Sequence, residues 1–145
     1  MKPLYFTREQ WKERYSKSAY ESVFGETADL SESLFDYAFV VVDEHECPII
    51  YTTIKQLSEK SLYIEHGGSF PDYRGSRKVL PAFKMLIDAW YNGGADRISL
   101  STLATNVAMQ KLALSAGFLP CGMFHNDKGL FLQYYQVKES QDGSN

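Results

Sequence analysis

A chain of 145 residues accommodates one domain of ordinary size rather than two, and its 44% hydrophobic and 14% aromatic content supplies a core that needs no disulfide or metal staple. Fifteen Lys and Arg against eighteen Asp and Glu leave a formal charge of -3, which excludes a general electrostatic attraction for nucleic acid. Cys47 and Cys121 form no CxxC pair, the N-terminus carries no apolar targeting segment, and the longest apolar run, Ala38–Val42, falls far short of the ~20 residues of a membrane span, so a cytoplasmic protein with reduced thiols is expected.

The N-terminal residues read as a short strand or arm. Thr7 followed by Gln10 forms a capping box, and Phe6 and Trp11 are spaced as a hydrophobic staple, so a helix starts at Thr7. Its apolar stripe runs through Trp11, Tyr15, Ala19 and Val23 to Gly25 as C-terminal cap, and 29–35 is a candidate second helix. Tyr37–Asp43 and Ile49–Ile54 flank the polar turn 44–48 as a β-hairpin, and Ser61–His66 is a third strand. The glycine-rich segment from Gly67 to Ser76 reads as a loop feeding an amphipathic helix with Val79, Phe83, Leu86, Ile87 and Trp90 on one face and Gly93-Gly94 at its end. Arg97–Thr102 alternates Ile98 and Leu100 inward, a strand that closes a βαβ crossover. A last helix starts at Asn106 as N-cap and ends at Gly117. Leu119–Phe124 and Leu130–Val137 make a closing hairpin in which Cys121 reads as a small buried residue. The fold class is α+β: residues 1–138 form a single domain with a mixed, mostly antiparallel sheet and helices on both faces, and 139–145 is a disordered polar tail.

Arg74, Arg77, Lys78 and Lys84 gather within eleven residues, and no acidic side chain intervenes between Asp72 and Asp88. The cluster lies at a predicted helix N-terminus, where free amides and the positive pole of the helix favour an anion such as a phosphate or diphosphate; a solvated basic turn is the alternative.

Two stretches resemble the GNAT superfamily, the Gcn5-related N-acyltransferases. Phe70-Pro71-Asp72-Tyr73-Arg74-Gly75 is similar to the family's x-Pro-x-Tyr-Arg-Gly after its fourth strand, and Asn106 through Leu112 to Gly117-Phe118 is similar to its Asn-x5-Leu-x4-Gly-Phe helix. Their order and spacing extend the resemblance over roughly residues 37–137. The resemblance implies a GNAT-like domain that transfers an acetyl group from acetyl-CoA to an amine, with the acyl arm between two splayed strands. Cofactor contacts fall on Ser69, Phe70, Arg74, Gly75, Ser76, Arg77, Lys78, Val79 and Asn106, with the diphosphate on amides from Arg74 to Val79. Glu65 matches the region of the family's base. His66 is the alternative base, on the opposite face if the strand is regular.

This chain also departs from the pattern. Arg77 and Val79 stand where the family has small residues that let backbone approach the diphosphate, and Ala113 stands where it often has a tyrosine acid, leaving Tyr134 or Tyr135 as substitutes. These departures favour an alternative: a non-enzymatic GNAT-fold phage protein acting in virion head or ejection assembly, found in host cytoplasm or virion and binding a virion protein. The aromatic strand Phe131–Tyr135 offers an edge for a homodimer. His45, among Glu44, Glu46 and Cys47, belongs to a hairpin turn, and no metal is expected.

Overall fold

A computed structural model of the chain describes residues 1–14 and 35–139. A single seven-stranded sheet is built from β1 (Lys2–Thr7), β2 (Tyr37–Val42), β3 (Pro48–Gln56), β4 (Ser61–Ser69), β5 (Arg97–Leu103), β6 (Leu119–Asn126) and β7 (Gly129–Val137), in the order β1-β2-β3-β4-β5-β7-β6. Only β4 and β5 run parallel. The described helices are α1 (Arg8–Arg14), α2 (Val79–Asn92) and α3 (Val107–Ser115). The α2 helix makes the β4–β5 crossover, since parallel neighbours need a long connection.

The capping box at Thr7 forms in both directions. The Thr7 amide donates to Gln10 Oε1 (2.9 Å) and the Gln10 amide to Thr7 Oγ1 (3.2 Å), while the Phe6 and Trp11 rings lie 6.5 Å apart. The continuation of the stripe beyond Arg14, and 29–34 of the second expected helix, lie outside the described residues, as do 140–145 of the tail. Trp11 drops into one face of the sheet against Tyr51, with Phe6, Phe35, Val40 and Phe70 around it. On the other face α2 buries Phe83, Leu86, Ile87 and Trp90 against Val41, Ile54, Ile64, Ile98 and Leu100. Helices therefore cover both faces, and the sheet is the partition between two apolar clusters.

Two elements depart from expectation. Gly67 and Gly68 are not loop but the end of β4, paired with Thr52 and Tyr51. A Cβ at Gly67 would lie 3.3 Å from the Tyr51 carbonyl oxygen, so glycine here permits close strand approach rather than a turn. In β6 all eight residues are exposed, because it is the outermost strand and nothing among the described residues covers it; Cys121 sits exposed at a register shift between Pro120 and Gly122.

Candidate active site

Strands β4 and β5 are paired only from Ser61 opposite Arg97 to Ile64 opposite Leu100. Beyond that point β4 follows β3 to Ser69, and β5 follows β7 to Leu103, so the two strands part and a wedge opens through the sheet. One edge of β4 over Glu65–Ser69 is left without a neighbouring strand, a row of backbone donors and acceptors facing the gap.

The parting point coincides with a β-bulge. Thr53 pairs with His66 and Ile54 with Ile64, which leaves Glu65 as the extra residue. The bulge cancels the alternation of a regular strand, so Glu65 and His66 are brought together instead of being sent to opposite faces: His66 Nε2 lies 3.1 Å from Glu65 Oε1. Thr53 ties both down, its hydroxyl donating to Glu65 Oε2 (2.7 Å) and accepting from the His66 amide (3.1 Å). The Glu65 side chain is 16% exposed and His66 41%, so the carboxylate is half withdrawn from water behind an imidazole that reaches it. Thr53 is not legible as a site residue; the one signal is the pair Thr52-Thr53 interrupting the apolar run Ile49–Ile54, in which Thr53 is fully buried.

The basic segment follows β4 directly. A single 3-10 turn, Pro71–Tyr73, leads to Gly75 at φ 77°, a left-handed conformation that suits glycine and lets the chain turn into α2. The amides of Arg74, Ser76, Lys78 and Val79 are engaged in local turns, on Pro71 O, Tyr73 O, Ser76 Oγ and Ser76 O. Those of Gly75 and Arg77 have no partner among the described residues, so an anion finds fewer amides here than the span from Arg74 to Val79 implies. The side chains of Arg74, Arg77 and Lys78 are exposed around them, whereas Val79 packs against the α2 core. Phe70 is likewise turned inward: its ring meets Tyr51 edge-on and its amide donates to Ile49 O. Ser69 ends β4 with its carbonyl 3.4 Å from Arg74 Nη2. Asn106 caps α3, its side chain accepting from the Met109 amide at 3.1 Å, just after the free end of β5.

Tyr73 anchors this segment through a contact thirty residues away in sequence. Its hydroxyl donates to Asp43 Oδ2, while Asp43 Oδ1 accepts from the amides of His45 and Cys47. The Tyr73 bond, then the Cys47 and His45 amides, hold the Asp43 carboxyl down at about 2, and the tyrosine is pushed up to about 12. The folded pKa of Asp43 lies below its unfolded value of 3.8, so its stabilisation is present above about pH 4 and lost as pH falls toward 2. Tyr73→Phe is expected to narrow that acid-labile window, measured as melting temperature between pH 5 and 2. An unchanged acid profile would mean that the tether does not form.

Tyr134 and Tyr135, the substitutes for the acid that the resemblance leads one to expect at position 113, lie back from the opening. They pair with Leu100 and Ser99, at the closed end of the wedge; Tyr134 is 4% exposed within the α2 core, and Tyr135 stacks under Arg97, 4.7 Å from the ring centroid. Ala113 is fully buried. A shallow concavity of about 590 Å³ lies beside Met1, Lys84, Met85 and Asp88, with no residue of the wedge in its lining. No group of three metal-ligating side chains occurs among the described residues, and no described helix is long and apolar enough to cross a membrane.

Neither a family model nor a curated protein matches the sequence. Solved structures do match the fold. A ribosomal-protein-S5-alanine acetyltransferase from Vibrio fischeri superposes with a TM-score of 0.62 at 16% identity, covering 70% of this chain and 61% of that one. The spermidine/spermine N-acetyltransferase of Vibrio cholerae gives 0.62 at 16% identity over 74% of this chain and 69% of its own. A candidate streptothricin acetyltransferase from Bacillus anthracis, solved with acetyl coenzyme A, gives 0.60 at 18% identity over 74% and 65%. The chain thus spans between three-fifths and seven-tenths of the length of these neighbours.

Proposed function

From the premise that the chain has the fold of the GNAT acetyltransferases, we propose that it is an N-acyltransferase that carries an acetyl group from acetyl-CoA to an amine. The observation that carries this reading is the coincidence of three features on one strand: the wedge opens at Glu65, the bulge gathers Glu65, His66 and Thr53 there, and the basic loop begins where the same strand ends. In this reading the side chains of Arg74 and Lys78, with the Gly75 and Arg77 amides, take the diphosphate, and the free edge of β4 takes the amides of the acyl arm. Glu65 removes the proton of the acceptor ammonium, and His66 passes it to solvent. The neutral amine then attacks the thioester carbonyl carbon; the C–N bond forms, the C–S bond breaks, and the thiolate takes the second proton shed by the nitrogen. That last step needs no tyrosine at position 113.

The names of two structural neighbours, one for spermidine and one for an alanine of ribosomal protein S5, suggest spermidine and an alanine peptide with a free amino group as the first amines to test. Amine-dependent release of the CoA thiol is the expected result. Acetyl-CoA binding with no thiol release for either amine would instead favour the second reading, a non-catalytic protein on this scaffold, which rests on Arg77, Val79 and Ala113.

The loop variants follow from the same geometry. Arg74→Ala is expected to weaken acetyl-CoA binding about tenfold or more through the lost charge-assisted contact. Arg77→Gly, which clears the side chain beside one of the two open amides, is expected to strengthen it several-fold by calorimetric titration. Weaker binding by Arg77→Gly would mean that the guanidinium itself grips the phosphate.

A further inference from the structure

At the opposite end of α2 from the basic loop a half-open cavity of about 270 Å³ lies between the sheet and the helix C-terminus. Fourteen helical residues separate the two ends by about 20 Å. The cavity takes Tyr5 from β1, Tyr37 and Phe39 from β2, Trp90 from α2 and Glu59 from the β3–β4 turn. Tyr5, Tyr37 and Phe39 stand 5.6–5.8 Å from one another, centroid to centroid, and Phe39 meets Trp90 at 5.8 Å; these pairs are inclined by 45–80°, so the rings are tilted or edge-on rather than stacked.

Three independent features give this cavity one sign of charge. Aromatic faces carry negative potential. The last turn of α2, with Ala89, Trp90 and Gly93 in the wall, brings the negative pole of the helix to the cavity. Among the charged side chains of the lining, Glu59 is acidic and none is basic. The Tyr37 hydroxyl is turned aside, donating to Gln56 Oε1 at 2.7 Å, and burial pushes its pKa up to about 12, so the phenol remains neutral. A volume below the ~300–1,000 Å³ usual for drug-sized ligands fits one compact group.

We propose that this cavity is a second ligand site, for a small organic cation carrying an alkylated ammonium group, with the ring faces around the cation and Glu59 as its counter-charge. It shares no residue with the wedge or the basic loop, so it stands whether or not the chain transfers acyl groups.

The test compares choline with 3,3-dimethyl-1-butanol, its neutral isostere, in an NMR titration of the full chain. Two tryptophans give two indole signals, assigned by Trp90→Phe. Choline is expected to move the Trp90 signal saturably, with the neutral alcohol binding about tenfold more weakly. Glu59→Gln, and Tyr5→Ala at a position 57% exposed and so tolerant of truncation, should each weaken choline about threefold or more without lowering the melting temperature by more than a few degrees. Equal binding of the two probes would overturn the proposal in favour of a plain apolar cavity. Absence of any shift by either probe at about 20 mM would overturn it outright.

Discussion

Glu65→Gln is expected to lower the rate of acyl transfer by about 10²–10⁴ while leaving acetyl-CoA affinity within about twofold. The amide can still accept from Thr53 Oγ1, so the bulge is preserved and only the proton-accepting capacity is lost. In the proposed mechanism His66, joined to the carboxylate at 3.1 Å and more exposed, passes the proton outward, and His66→Ala is expected to have the smaller effect. A larger loss in His66→Ala than in Glu65→Gln would exchange the two roles. Thiol release measured at saturating acetyl-CoA and amine decides between them.

The second large effect concerns stability. Leu86 is fully buried where α2 crosses the sheet, among Ile54, Ile64, Phe83 and Ile98 in one cluster. Leu86→Ala is expected to cost about 2–5 kcal/mol, because the rigid sheet beneath cannot collapse into the cavity. Set against a total stability of about 5–15 kcal/mol, that loss is a large fraction of the whole. Urea denaturation of the two proteins measures it. A difference below about 1 kcal/mol would mean that α2 does not pack as described.

What was legible in the sequence is what local chemistry specifies. The Thr7–Gln10 capping box, the apolar stripe of α2, the alternation of Arg97–Thr102 and the Asn106 cap each depend on residues within a turn or two of one another, and each forms as expected. Gathering of cations after β4 was equally legible, because charge is read directly from composition. The features that make the site were not. The bulge at Glu65 is a property of register between two strands, so nothing in Ile64-Glu65-His66 alone reveals that neighbouring side chains will meet. The Asp43–Tyr73 tether joins two turns across the sheet. Gly67 and Gly68 read as punctuation because glycine is rare in strands, yet pairing with Thr52 and Tyr51 overrides that preference. By residue type Cys121 reads as interior, whereas the edge position of β6 decides its exposure. The resemblance to GNAT proteins, carried by two short motifs, correctly gave the fold that the solved neighbours share.

Acyl-CoA recognition at the wedge and basic loop is the claim on which the proposed acyl transfer depends, and titration of the protein with acetyl-CoA tests it directly. Binding with a Kd of about 100 μM or tighter is predicted, which at 1 mM ligand adds about 1.4 kcal/mol of stability and raises the melting temperature by roughly 3–6 °C. Absence of both calorimetric heat and thermal stabilisation at millimolar acetyl-CoA would contradict it.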